Sequence, residues 1–538
     1  MKGTPRVRAR IEGRPDPPFD RFYDPVVHDL VAGGELARTR FVTLWSDTAA
    51  LKALGLAKRG PLPASLAEAL RADHRRLEAQ APSLAGLERL ARGEAVCTVA
   101  GQQPAPLGGP LYSLHKIAAA VGLARVFEER TGIPCVPLFW MHGEDSDFAE
   151  IKSATVFDAG LHTHELEIGA EFHAEGGLVG SIRAAALEAV EAEALRRWAG
   201  LGGHDDVRSL LDRARGGARD LGDAFSALVL RLFGDEGLVV VDPRRPEFRA
   251  AARPIIDRYL ARAEALAVAV REAGTWLERR VARRPLADAA LESFVFEIRD
   301  GTRAKIAAAD ARARGATATL SPSVALRPAV QDGVFPTVAM ACGAGEIGYL
   351  AQLREVFEGV EVRAAAAVPR FAATWLPAEA VELLEASGAQ PWELVTGADH
   401  VLKRYAERAV PEDVRRALDQ ARAQANASLK TFAEAARRVD ASLPQMVESA
   451  RGKVDFQFAR LEEGVAAKAR HRLELKHPAW VRIRYALLPG EKLQERRIAS
   501  LLPVAFRGRA VVRELCELAA GHARRLAEGS HEHYLLEL

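Results

Sequence analysis

Cysteine is scarce in this 538-residue sequence: Cys97, Cys135, Cys342 and Cys516 lie far apart, and none forms a C-x-x-C pair. This excludes a disulfide-stapled scaffold and a zinc ribbon, and it fits a reducing compartment, the cytoplasm. Long apolar runs are missing too. No stretch of about 18 apolar residues occurs, and the basic N-terminus MKGTPRVRARIEGRPDPPFD has no apolar core, so neither a membrane helix nor an export signal is expected. An excess of basic charge is also lacking: 74 Lys and Arg against 72 Asp and Glu leave +2, spread without a stripe, which argues against nucleic-acid binding. What remains is globular. Hydrophobic residues at 49% and charged residues at 27% exclude wholesale disorder, and the length accommodates roughly three domains.

Residues 1–90 read as helices broken by polar loops, packing on the core. The pattern then becomes a strand at 96–99, a Gly- and Pro-rich loop at 101–110, a helix at 111–130 and a second strand at 135–141. Strand, crossover helix and strand build parallel sheets. Another strong strand lies at 238–241, and a second such unit at 337–342, 346–357 and 362–368. The expected fold is therefore α/β: a doubly wound parallel sheet over 91–380, interrupted by helical insertions at about 158–235 and 246–320. From 400 to 472 two polar helices carry apolar seams, including Phe432 and Val439, then Met446 and Leu461, with a break near 440. They predict an antiparallel coiled coil over 381–485, through which two copies could pair. A mixed helical segment, 486–538, closes the chain.

In an open parallel sheet, ligands bind beyond the carboxyl ends of the strands, and the unusual residues cluster there. After the first strand come Gly101, Gln102, Gln103, Gly108 and Gly109, then Tyr112, His115 and Lys116. Such a loop can turn backbone N–H groups toward an anion, with Lys116 adding a point charge, although the phosphate-loop spacing G-x-x-x-x-G-K-[ST] is absent. The second strand ends in Trp140, His142, Glu144, Asp145 and Asp147. Close carboxylates raise one another's pKa, so a cation is expected nearby: a substrate ammonium, a metal or a core Lys or Arg. The third group is Arg327, Gln331 and Asp332, followed by Gly343, Gly345 and Glu346 in a stretch that spells G-x-G-x-x-G. A dinucleotide site there would lack an acidic residue for the ribose, and Glu346 would repel a pyrophosphate. Cys97 and Cys342 fall in buried strands, where thiols are usually inert. His162 and His164 belong to an insertion.

GQQPAPLGGPLYSLHK, IPCVPLFWMHGEDSDFAEI, GLVVVDP, LSPSVALRPAVQD, GAGEIGYLAQL and the LQER of 493–496 follow one another through nearly the whole chain. Together they resemble the cysteine-adding enzymes of bacillithiol synthesis, the cysteine ligases. The resemblance implies a Rossmann-like core with two connecting insertions, a coiled coil that pairs two subunits, and coupling of cysteine through its carboxyl to the amine of glucosaminyl malate. It also implies ATP as co-substrate, with or without Mg2+, and activation through an adenylate or a phosphate. Ser146 stands where the family commonly has the histidine of E-D-H-D, and Pro104 and Pro106 stand where relatives carry small or apolar residues.

On this reading Lys116, His115, Glu144, Asp145 and Asp147 are the catalytic candidates. Gly101, Gln102, Gln103, Gly108, Gly109, Tyr112, Trp140, His142, Arg327, Gln331, Asp332, Gly343, Gly345 and Glu346 are the substrate-binding candidates, with Arg327 placed for a carboxylate. No metal ligand set is expected. Two other readings stay open: a nicotinamide-dependent oxidoreductase using the 343–348 loop, and a non-catalytic assembly protein acting through the coiled coil.

Overall fold

The computed structural model describes residues 6–12 and 24–538. These divide into two compact units: one runs up to Trp375 and resumes over Pro489–Leu538, and the other is Leu376–Leu488. The C-terminal segment therefore belongs with the sheet-bearing unit.

The centre of the first unit is a five-stranded, all-parallel sheet made of β1 (Val96–Gln102), β2 (Cys135–Met141), β3 (Val239–Val241), β4 (Thr337–Cys342) and β5 (Ala366–Pro369). All five are buried along their whole length, as expected of strands covered on both faces. Their spatial order is β5-β4-β1-β2-β3. The chain thus starts in the middle, builds outward to β3, then returns to build the other half from β4, so the direction of winding switches between β1 and β4.

Helix α1 (Leu111–Thr131) crosses from β1 to β2 and ends at Gly132, which takes the left-handed conformation at φ 72°. It is buried almost all round because α7 (Val511–Ala527) covers its outer side. Gly122 permits that crossing, since a Cβ there would stand 2.6 Å from the backbone of Ala519 and Ala520. Further along lie α2 (Pro246–Val281), α3 (Arg327–Val334) and α4 (Ala344–Gln352).

The insertions are mostly helical, but each also carries strands. Ser153–Phe157 pairs with Thr163–Glu167, and Val295–Arg299 lies between Thr302–Lys305 and Leu320–Pro322 in an antiparallel sheet. The expected strand over 362–368 shortens to Ala366–Pro369.

The second unit contains α5 (Glu412–Ala436) and α6 (Leu443–Lys476), which pack on each other as a hairpin. Asp455 ties them by accepting from Arg422 at 2.9 Å and from Asn426 at 3.0 Å. The apolar seam is wider than the hairpin buries, for Phe432, Val439, Met446, Phe456 and Leu461 remain exposed.

Candidate active site

The switch between β1 and β4 opens a crevice at the carboxyl edge of the sheet, the position where such folds bind ligands. A cavity of about 330 Å³ occupies it. From β1 and its loop come Gln102 and Gln103, and from α1 come Tyr112 and Lys116. The turn after β2 gives His142, Asp145 and Glu150. Arg327 opens α3, Gly343 to Glu346 open α4 with Tyr349 one turn on, Arg370 follows β5, and Arg496 comes from the C-terminal segment. Stretches 101–116, 140–147 and 327–346, more than two hundred positions apart in part, therefore share one rim.

Lys116 is buried and held from three sides. It lies 2.7 Å from Glu346 Oε2, donates to the Gly101 carbonyl at 3.0 Å, and faces Gln102 Oε1 at 3.5 Å. Glu346 also accepts the Gly343 N–H at 2.7 Å, so α4 is capped by its own carboxylate. A pyrophosphate at the 343–348 loop would have to displace that carboxylate, which weighs against the dinucleotide reading.

The acidic turn is compensated largely from within the protein. Glu144 is buried, 2.8 Å from Arg249 Nη2, and accepts from the Ser321 hydroxyl at 2.8 Å. Burial pushes its carboxyl up, while Arg249 and Ser321 oppose the shift. It faces these partners, not the cavity. Asp145 lies 3.7 Å from Arg303, and its Oδ1 accepts the N–H of Ser146, fixing the turn. Gln103 bridges Asp145 and Glu150, donating at 3.2 Å and 2.6 Å. Glu150 is exposed at the rim, yet partial desolvation of its carboxyl and the charges of Asp145 and Asp147 raise it above its ordinary range, against the opposing pull of Gln103 and Lys116. His142 is neutral: burial holds its pKa well below the usual value, and Arg327, Lys116 and Arg303 add to this. Gly101 makes room for it, because a Cβ there would stand 2.5 Å from His142 Nε2.

Arg327 makes no ion pair among the described residues. The buried hydroxyl of Tyr349 neighbours Arg327, whose charge and hydrogen bonding oppose the upward shift that burial gives it. A guanidinium without an ion-pair partner beside a buried hydroxyl is a ready site for a carboxylate.

Several sequence candidates lie elsewhere. His115 is wholly buried behind the cavity, against Glu495 and Trp375. Asp147 is exposed and caps the short helix Phe148–Ile151. Trp140 is core, edge-on to Phe248 with ring centres 5.0 Å apart. Gly108 and Gly109, at φ 81° and 74°, form a closed turn against Ser500 and Ser113. That turn is no open anion cradle, since the Gly109 N–H is bonded to Pro106 and the Leu111 N–H to Ile498. Gln331 and Asp332 lie near the start of β4. Five residues of α3 carry the chain about 7.5 Å from Arg327 toward the other edge, where Asp332 faces Lys58 at 3.8 Å and accepts the Ala365 N–H. Cys97 and Cys342 are buried, and burial pushes the Cys97 thiol up to about 12.

Sequence reasoning missed Glu150, Tyr349, Arg370 and Arg496. Glu150 ends the acidic turn that was read only to Asp147, and Tyr349 stands three residues after Glu346 on the same helix face. Arg370 obeys the strand-end rule. Arg496 carried no signal beyond its place in LQER.

Comparison with known proteins agrees with this architecture. The model for the N-terminal Rossmann-like domain of bacillithiol biosynthesis BshC matches residues 35–315 and 310–371, and that for its C-terminal coiled-coil domain matches 373–526. Among relatives named "Putative cysteine ligase BshC", the Koribacter versatilis protein is 29% identical over 84% of this chain and 87% of its own. The Solibacter usitatus protein is 29% identical over 79% and 83%, and the Geobacillus kaustophilus protein 29% over 80% and 83%. With both domain models matched across most of its length, the chain belongs to the BshC family of bacillithiol biosynthesis.

Proposed function

We propose that this protein joins the carboxyl carbon of cysteine to the amine nitrogen of glucosaminyl malate, forming the amide of bacillithiol. The observation that carries this reading is the division of charge within one cleft. The β2 turn contributes the carboxylates Asp145 and Glu150, while α3 and the C-terminal segment contribute Arg327 and Arg496. An amino sugar with carboxylates at its far end matches that division, and the relatives' name, cysteine ligase, agrees with it.

In this reading Asp145 and Glu150 hold the ammonium group, and Glu150, whose carboxyl is shifted toward neutrality, accepts the proton the nitrogen must lose before it attacks. Arg327 and Tyr349 hold a malate carboxylate, with Arg496 at the rim. Lys116 and Arg370 face the carboxyl of cysteine and stabilise the negative charge that develops on its oxygen. ATP would supply the activation that makes this carboxyl electrophilic. The cations Lys116 and Arg370 fit its phosphates, whereas the closed Gly108–Gly109 turn does not. The exposed apolar side chains of α5 and α6 support pairing of two copies through the coiled coil.

The test is direct. The full-length protein is incubated with cysteine, ATP and glucosaminyl malate, and products are followed by mass spectrometry of labelled thiols and by nucleotide analysis. Formation of bacillithiol with release of AMP or ADP supports the reading; no amide product from any amino-sugar acceptor refutes it. Lys116→Met should form product at least ten-fold more slowly, since a charge-stabilising donor is commonly worth 10²–10³ in rate.

A further inference from the structure

The 493–496 segment, far from the sheet in sequence, places a buried carboxylate directly behind the cleft. Glu495 takes a two-pronged hydrogen bond from Arg370, with Nη1 at 2.8 Å from Oε2 and Nη2 on Oε1. Its Oε2 also lies 3.1 Å from His115 Nδ1. The indole N–H of Trp375 donates to His115 Nε2 at 3.3 Å. An indole nitrogen is a donor only, so His115 carries its proton on Nδ1 and donates it to Glu495. The next residue back, Gln494, grips the Trp375 backbone at both ends, accepting its N–H at 2.8 Å and donating to its carbonyl at 2.9 Å. Arg370, Glu495, His115 and Trp375 are all buried.

Arg370 is the member of this chain that reaches the cavity. Its Nη1 is further fixed by the Phe371 carbonyl at 3.0 Å, and its backbone N–H by the Cys342 carbonyl at 2.8 Å. The guanidinium therefore stands at the β4–β5 side of the cleft with its conformational freedom already spent, unlike Arg327 and Arg496.

We infer that Glu495 is a positioning residue: it fixes Arg370 as the immobile cation that receives the anionic group of the substrate, with His115 as a second brace. This rests on the ligase reading for the identity of the substrate, but not for the geometry. A cation locked before binding meets the developing charge without reorganisation, and a misplacement of about 1 Å can cost on the order of 100-fold. His115 therefore acts through Glu495, not as an acid or base.

The experiment uses the full-length protein with Glu495→Gln, Arg370→Gln and the double variant, each normalised to its folded fraction by thermal melting. Expected is a fall in kcat/KM of about 30-fold or more for E495Q, and a double variant within about three-fold of R370Q alone, because Glu495 acts only through Arg370. Losses that multiply, or an E495Q enzyme as active as wild type, overturn the inference. Should E495Q not fold, Glu495→Asp keeps the charge but withdraws it by one methylene, and His115→Gln leaves the ion pair standing. Each should then show a loss of about three-fold or more, and full activity in both overturns the inference. Calorimetry with cysteine, whose carboxyl Arg370 faces, separates this inference from the ligase reading. Wild type that binds cysteine but forms no amide defeats the ligase reading alone, with positioning upheld if E495Q binds about ten-fold more weakly. Equal cysteine binding by E495Q and wild type defeats positioning, and wild type that neither binds cysteine nor couples defeats both.

Discussion

Replacing Arg327 by methionine should separate binding from stability. In the free protein this guanidinium makes no ion pair among the described residues, so Arg327→Met removes no native charge partner, only the contact with the Tyr349 hydroxyl. Its chain keeps a similar apolar stem against Val324 and Tyr349, which line the same cavity. The melting temperature should stay level or rise, as is common where a site holds charge ready for a ligand. Binding should suffer. Truncating one member of a buried, hydrogen-bonded charge pair costs about 2–5 kcal/mol, and Arg327 is only half-buried, so the lower end, about 2–3 kcal/mol, applies. At about 1.36 kcal/mol per factor of ten this is roughly 30- to 150-fold in kcat/KM. The assay compares glucosaminyl malate with glucosamine, which has the amine but no carboxylate. R327M should lose that factor for the first acceptor and change little for the second. An equal loss for both would mean that Arg327 does not read the malate group.

Other outcomes can be checked on purified protein. Glu144→Ala leaves Arg249 and Ser321 without their shared partner, and with Arg249 partly exposed the cost should be about 2–3 kcal/mol, read as a lower urea midpoint; unchanged stability would show that the pair is idle. His74 should make the fold acid-sensitive. Its Nε2 accepts the Val240 N–H, its Nδ1 lies 2.8 Å from the Leu70 carbonyl, and burial lowers its pKa from 6.5 to about 4. The unfolded chain binds the proton first, so this contribution is complete above pH 6.5 and falls away toward the folded value. Wild type should lose about 3 kcal/mol relative to His74→Leu between neutrality and a pH of about 4, measured as converging urea midpoints. Parallel midpoints would remove His74 from the acid response. On the coiled coil, Phe456→Glu with Leu461→Glu should abolish self-association in sedimentation without loss of helix, because both side chains are exposed in the single chain; an unchanged oligomer would place the contact elsewhere.

The sheet and its carboxyl edge were legible because each strand is a short apolar run ending in polar or glycine residues. Cys135–Met141 and Thr337–Cys342 fall at the expected positions, and Lys116, Asp145, Arg327 and Glu346 follow from them. What sequence could not show was which charges neutralise one another. Glu144 looks available within GEDSD, yet its partner Arg249 lies 105 residues away, and the partner of Arg370 lies 125 residues away. Distance along the chain carries no sign of such pairs. Asp332 was misassigned for a different reason. It follows Arg327 closely in sequence, but a helix running away from the cleft delivers it to the other edge of the sheet. The closed Gly108–Gly109 turn was equally hidden, since the Gly109 carbonyl and the Leu111 N–H are taken by Ser500 and Ile498 from the far C-terminal segment.

The charges left after this pairing define what the cleft can accept. Lys116 is balanced by Glu346, Arg370 by Glu495, and Asp145 is partly balanced by Arg303. Arg327 and Arg496 have no ion-pair partner among the described residues, and Glu150 is met only by the uncharged amide of Gln103. A ligand that complements this remainder carries one positive group beside Glu150 and two negative groups beside Arg327 and Arg496. A monocarboxylic amino acid supplies too little negative charge, and a nucleotide alone supplies no cation. An amino sugar bearing a dicarboxylate supplies both, so the residual charge assigns the unbalanced groups of the cleft to the acceptor and leaves Lys116 and Arg370 to the carboxyl of cysteine. Swapping the remainder with Glu150→Lys and Arg327→Glu together should then abolish malate binding, while leaving the balanced pairs, and with them the fold, in place.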